Sequence, residues 1–263
     1  MTPTNDWSGD LSGEPANERI RLDLALVERE LVETRSRARD FIKRSLVMVD
    51  GVVVTRPGQN VSSGAVLTLA EEAHHYVSRG GEKLKAALDH FSFEVDKIVA
   101  LDIGASTGGF TEVLLERGAA RVFAIDVGFD QLHERLQSDD RVVSYEEVDA
   151  RQLDEALISE PVDAIVIDVS FISLIKALEN PFRFLKPGGW LIALVKPQFE
   201  VGRKEMLGKG GIVRNDAIQD EAVTNVRDWI AGLDGWQVDD VIPSPLLGKA
   251  GNREFLLGAR YGG

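Results

Sequence analysis

Leu101-Asp102-Ile103-Gly104-Ala105-Ser106-Thr107-Gly108-Gly109-Phe110-Thr111 is where chemistry is easiest to read in this sequence. An apolar run turns through glycines into a helical pattern, so backbone can approach a ligand and a helix N-terminus can offer N–H donors with partial positive charge. A dinucleotide fingerprint would place its second glycine where Ser106 stands, which argues against a pyrophosphate ligand. Asp102, just before the turn, suits a ligand carrying an amine or a cation, and S-adenosylmethionine has both an amino acid head and a sulfonium. Asp126 closes the next apolar run, where ribose hydroxyls would lie, and Asp149, after the third, is placed to accept from an adenine amine. With Gly104, Ser106, Gly108, Gly109 and Phe110 these acids form the expected cofactor set. The plainer alternative is a tight turn with helix-capping aspartates. Acids at three successive strand ends favour the cofactor.

Four more polar residues fall where a wound sheet presents chemistry. Asp168 ends Ile165-Val166-Ile167-Asp168 and Lys196 ends Leu194-Val195-Lys196, so both side chains should emerge at the carboxyl ends of strands. Lys83, in Ser78-Arg79-Gly80-Gly81-Glu82-Lys83-Leu84, opens a helix leading into the first strand, and Glu254 begins the last strand after Gly251-Asn252-Arg253. Taken singly none is diagnostic: a strand-end lysine is commonly a solvated charge and Glu254 could be an edge residue.

The elements that must position these groups follow from periodicity. The segment 1–17 is polar, rich in proline and glycine, and without bases; it reads as a disordered tail. From Arg19, apolar residues recur near helical spacing, and Thr34 is a plausible N-cap for a second helix, Arg35 to Leu46. Val47 to Val54 is a β-branched run broken by Asp50-Gly51, a hairpin signal, and a further strand is expected at Ala65 to Leu69. These make a small unit over 18–70, followed by a connector at 71–78 and a catalytic domain at 79–263. In the latter, apolar runs at Ile98 to Ile103, Val122 to Ile125, Val142 to Tyr145, Ala164 to Ile167 and Trp190 to Val195 alternate with helical-length segments. That is the signature of an α/β, Rossmann-like, doubly wound parallel sheet. A helix over Asp216 to Ala231 and strands at Gln237 to Ile242 and Glu254 to Ala259 complete it.

Composition narrows the choices. The 263 residues contain no cysteine, which removes disulfide scaffolds and thiol nucleophiles and suits a reducing cytoplasm. No apolar stretch is long enough to span a membrane, and no secretory signal is visible. Thirty bases against 43 acids give a net charge of −13, ordinarily an argument against a nucleic-acid partner. Local charge answers it. Thr34 to Leu46 carries Arg35, Arg37, Arg39, Lys43 and Arg44 against Asp40 alone, a footprint for phosphate unless it is a solvated face balanced by Glu28, Glu30 and Glu33. A second basic patch, Arg203, Lys204, Lys209 and Arg214, lies in the glycine-rich segment Pro197 to Asn215, read as a lid or a simple connector. His74, His75 and Tyr76 are read as junction packing.

Residues 19–260 resemble the TlyA, or hemolysin A, type of ribosomal RNA 2′-O-methyltransferase. The resemblance rests on Arg21-Leu22-Asp23, Ser36-Arg37-Ala38, Val49-Asp50-Gly51, Val77-Ser78-Arg79-Gly80-Gly81, Asp102 to Phe110, Val195-Lys196-Pro197-Gln198-Phe199-Glu200 and Gly251-Asn252-Arg253-Glu254. It implies an N-terminal RNA-binding module of the alpha-L fold, first seen in a small-subunit ribosomal protein, joined to an FtsJ-like catalytic domain. It also implies S-adenosylmethionine as cofactor, with ribosomal RNA or subunits as partners and cytidine as the target; the chemistry requires no metal, and the lack of a spanning segment argues against a membrane role. The Lys-Asp-Lys-Glu tetrad of such enzymes falls on Lys83, Asp168, Lys196 and Glu254, and the resemblance, not residue spacing, assembles it. A ribose hydroxyl is a weak acid, so two nearby ammonium groups would favour alkoxide character and depress one another's pKa. Lys196 is assigned as base and Lys83 as charge stabiliser, with Asp168 and Glu254 orienting them. The alternatives are a non-catalytic RNA-binding assembly factor and, last, a membrane-active hemolysin.

Overall fold

The structure, a computed structural model, describes residues 19–32, 34–70, 76–201, 211–248 and 250–263. The expected tail, His74, His75, Arg203, Lys204 and Lys209 lie outside the described residues. The chain divides into two compact units, Met1–His75 and Tyr76–Gly263.

The first unit contains β1 (Arg19–Arg21), α1 (Leu22–Glu28), α2 (Arg35–Lys43), β2 (Val47–Val49), β3 (Val52–Val53), β4 (Asn60–Ser62) and β5 (Leu67–Leu69). Its apolar helix faces, among them Leu22, Leu26, Phe41 and Ile42, close over Val47, Val61 and Leu67. Thr34 caps α2, its Oγ1 accepting from the Arg37 N–H at 3.2 Å. Asp50 and Gly51, at φ 51° and 78°, form the turn between β2 and β3, as the Asp-Gly pair predicts. Two boundaries differ from expectation. Arg19–Arg21 is a strand paired with β4 and not the start of a helix, because Asn60–Ser62 offers it an edge. Helix α2 stops at Lys43, where Ser45 turns to φ 62° and the Leu46 N–H reaches back to the Phe41 carbonyl, the wrap that ends helices.

The second unit runs α3 (Gly80–Phe91), β6 (Val99–Ile103), α4 (Gly109–Glu116), β7 (Arg121–Ile125), α5 (Glu134–Gln137), β8 (Val142–Tyr145), β9 (Val162–Ile167), α6 (Leu174–Leu178), β10 (Leu185–Val195), α7 (Pro197–Glu200), α8 (Asp216–Ala231), β11 (Trp236–Pro243) and β12 (Phe255–Tyr261). Seven strands form one sheet in the order β11-β12-β10-β9-β6-β7-β8, with β12 antiparallel to both neighbours and the other pairings parallel. Strand order reverses between β6 and β9, which puts the ligand crevice at their carboxyl ends. The connectors are less regular than the alternation implies. Only the four-residue α5 joins β7 to β8, and between β8 and β9 Leu153 and Ile158 reach the core from turns.

Alternation of side chains fixes what each sheet face sees. Leu101, Ile103, Ile165, Ile167, Ala193 and Val195 pack on one face beneath α6 and α8. Ala100, Ala164, Val166, Ile192, Leu194 and Leu256 pack on the other, with α3 and α4. That period of two continues past the strand ends into the site.

Candidate active site

Asp102, Asp168, Lys196 and Glu254 all occupy the α3/α4 face of their strands, because each follows or precedes a residue of that face by two. Lys83 joins them from the first turn of α3. The register between β10 and β12 pairs Val195 with Phe255, so Lys196 and Glu254 are the next cross-strand neighbours. The Asp168 N–H binds the Ile103 carbonyl at 2.9 Å, holding the end of β9 against the end of β6. The four members of the expected tetrad therefore meet at one edge of the central strands.

They meet as two ion pairs. Lys83 Nζ donates to Glu254 Oε2 at 2.5 Å, and both residues are buried, at 8% and 5% exposure. Such a pair forfeits most of its hydration, so removing one partner strands a buried charge at about 3–5 kcal/mol. Lys196 Nζ lies 2.5 Å from Asp168 Oδ1 and donates to Ser170 Oγ at 2.9 Å. The approach to Oδ1 lies off hydrogen-bond geometry, which leaves that oxygen open to another donor.

The glycine loop between β6 and α4 packs directly on this cluster. Gly104 has φ +80°, and a Cβ there would lie 2.6 Å from the Asp168 carbonyl oxygen, so only glycine allows the approach. Asp126 braces the loop from β7: its Oδ2 accepts from the Ser106 N–H and its Oδ1 from the Gly128 N–H, both at 2.7 Å. Asp126 is part-exposed and Ser106 exposed, so both present polar atoms to the crevice.

Other members of the expected cofactor set sit deeper. Asp102 is fully buried, its Oδ2 accepting from the Thr111 hydroxyl at 2.6 Å and its Oδ1 without a hydrogen-bond partner among the described residues. Burial pushes its carboxyl up to about 7, against the pull of Thr111 and with a further push from the charges of Asp168 and Asp126. Phe110 is buried, with Gly80 against its ring, and a Cβ on Gly108 would strike Leu136. Gly109 is equally close to Ser78. These three shape the loop by packing. Asp149 caps the turn at Ala150–Gln152 and is clasped by the Arg151 side chain at 2.5 Å, which holds its carboxyl below the usual carboxylate range.

On α2, Arg35 is held by the buried Asp23 at 3.0 Å, Arg37 lies over the Phe41 ring and Arg44 faces Asp40. Arg39 and Lys43 are exposed and make no ion pair among the described residues. Two arginines pull the Asp23 carboxyl down to about 2, Arg21 more strongly than Arg35. Arg214 is exposed.

The sequence reading missed Thr111, Ser170, Phe171 and Glu200. Phe171 is 92% exposed at φ 68° beside the tetrad, with its ring 5.1 Å from that of Phe199. An aromatic three residues beyond Asp168 was the available signal. Asn252, which the reading used only as a motif letter, is buried; it accepts from the Val213 N–H and donates to the Gly211 carbonyl.

An open sheet of this order with a reversed last strand, and a braced glycine loop at its switch point, defines a Rossmann-like methyltransferase domain. The chain belongs to the FtsJ-like methyltransferase family, whose model matches residues 76–261, and an S4 domain model matches residues 20–67. It is 42% identical over 243 residues to the 16S/23S rRNA (cytidine-2′-O)-methyltransferase TlyA of Mycobacterium tuberculosis, covering 92% of this chain and 90% of that protein. Hemolysin A of Brachyspira hyodysenteriae is 37% identical, over 90% of this chain and 98% of its own length. A solved structure from Streptococcus thermophilus that carries a hemolysin name superposes with a TM-score of 0.72 at 39% identity, covering 94% of this chain and 90% of that one.

Proposed function

We propose that this protein transfers a methyl group from S-adenosylmethionine to the 2′-hydroxyl of a cytidine in ribosomal RNA, in the cytoplasm where ribosomes are found. The observation that carries the reading is the convergence of Lys83–Glu254 and Lys196–Asp168 beside the braced glycine loop. The Mycobacterium tuberculosis relative named for this activity aligns over 92% of the chain and supports it.

The residues fit the cofactor. Asp126 has lone pairs left for ribose hydroxyls after accepting one N–H on each oxygen, and the acids around the crevice favour a ligand with net positive charge. Gly104 and Ser106 present the loop to it, Asp102, Gly108, Gly109 and Phe110 set the loop's shape from beneath, and Asp149 is the adenine-side acid. When bound, S-adenosylmethionine supplies a methyl group activated by its sulfonium. Lys196 Nζ acts in its neutral form: having given up its own proton to solvent, it takes the hydroxyl proton, Asp168 fixes the direction of that amine, and Lys83, held by Glu254, stabilises negative charge on the attacking oxygen. No bound metal enters this scheme, and among the described residues no group of three or more His, Asp or Glu is placed to hold one.

Substrate is held by two surfaces. Residues 18–70 form the RNA-docking unit, through Arg35, Arg37, Arg39, Lys43 and Arg44, with Arg203, Lys204 and Lys209 assisting. The exposed Phe171 ring offers a face on which an unstacked base can lie. The test is mass mapping of ribosomal RNA incubated with enzyme and labelled cofactor: wild type adds one methyl to a cytidine ribose, and Lys196→Ala transfers at least about 100-fold more slowly. Normal transfer by Lys196→Ala refutes the scheme.

A further inference from the structure

We propose that Glu200 is a positioning residue that sets the Asp168–Lys196 pair by clasping the two loops from which the pair projects; the inference rests on the reading above. Glu200 closes α7, which begins immediately after Lys196. Its Oε2 accepts from the Ser173 hydroxyl at 2.7 Å and its Oε1 from the Leu174 N–H at 2.8 Å. Ser173 lies five residues beyond Asp168 in the loop that leads to α6. One carboxylate thus ties the β10–α7 connection to the β9–α6 connection, a few residues from where Lys196 meets Asp168 and Ser170. The Phe171–Phe199 contact bridges the same two segments.

Three features separate this clasp from an ordinary helix cap. Ser173 stands at the N-cap of α6, where a serine hydroxyl usually accepts from its own helix. Here it makes no such bond and donates to Glu200 instead, so the local cap is given up for a link across loops. Both carboxylate oxygens are engaged, which fixes the rotation of Glu200 as well as its position. Burial pushes the Glu200 carboxyl up, against the pull of both hydrogen bonds, so the group sits there at a desolvation cost that a five-residue helix alone does not explain. Rigid placement is what the pair needs, because its lysine must meet a hydroxyl on a substrate held elsewhere.

The test compares Glu200→Ala, Glu200→Gln and Ser173→Ala in the full-length protein. With ribosomal RNA as substrate, kcat of Glu200→Ala falls by about 10- to 100-fold, the scale of a misplacement near 1 Å. Its affinity for S-adenosylmethionine, by calorimetry, changes by less than about threefold, because the clasp touches neither the glycine loop nor Asp126. Glu200→Gln recovers most of the rate, since its amide oxygen accepts from Leu174 and its amide nitrogen donates to the Ser173 oxygen. Ser173→Ala slows turnover less than Glu200→Ala and adds nothing to it in the double variant. A kcat for Glu200→Ala within about twofold of wild type overturns the proposal, and so does a parallel loss of cofactor affinity and thermal stability without rescue by Gln. If wild type itself transfers no methyl to ribosomal RNA, the functional reading fails. The crystal structure of Glu200→Ala then decides the clasp by itself: a retained Lys196–Asp168 contact overturns it, a broken one supports it.

Discussion

Asp102 shows how a period of two can override a residue's apparent role. Read along the chain, it stands at the mouth of the crevice; read across the sheet, it shares a face with Ala100 and is sealed beneath α4. The folded carboxyl titrates near 7 instead of 3.8, so folding takes up a proton. The stability this residue contributes is complete below pH 3.8 and is lost as pH rises through about 7. Urea unfolding of wild type and Asp102→Asn should therefore show a gap that shifts in favour of the variant between about pH 4 and about pH 7 and levels off above it. A gap independent of pH would mean that the carboxyl titrates normally. The same parity rule joins Asp168, Lys196 and Glu254 on one face; of these, the strand-end positions of Asp168 and Lys196 were legible in the sequence, and the family resemblance supplied Glu254. Lys83 was not, because its place depends on how α3 lies over the sheet. Glu200 entered only as a letter of a motif, and its role was hidden for a related reason: its partners are 26 and 27 residues away.

At the scale of elements, the long strands and α8 were readable because each carries an unbroken apolar pattern, and the Asp50-Gly51 turn because its chemistry dictates positive φ. Arg19–Arg21 was not, since three residues hold too little pattern to distinguish a strand from the start of a helix. The basic run in α2 is a mixed case. Asp23 and Asp40 engage Arg35 and Arg44, whereas Arg39 and Lys43 remain exposed. Replacing Arg39 and Lys43 together with alanine should weaken RNA binding and flatten the plot of log affinity against log salt by about 1.5 units, as expected for two lost phosphate contacts. An unchanged slope would assign docking to other residues. Circular dichroism should barely move, because both side chains lie on the solvated side of the helix.

For the whole molecule, the net charge of −13 sets the background against which any RNA must approach. Repulsion between an acidic surface and phosphate disfavours indiscriminate binding of RNA. None of the described helices is long and apolar enough to cross a membrane, whatever the hemolysin name of some relatives describes. The sheet itself depends on its final strand. A chain ending at Arg253 would lack β12, bonded on both edges to β10 and β11, and should lose its cooperative thermal transition, measurable by calorimetry. Survival of that transition would show that the remaining strands can close on one another.

Folding and competence are thereby coupled. β12 lies between β10 and β11, and Glu254, the residue just ahead of it, is the partner of Lys83, 171 positions earlier. A molecule in which that strand has not docked holds three of the four charged groups in place and lacks the fourth, so closure of the sheet and completion of the pocket are one event.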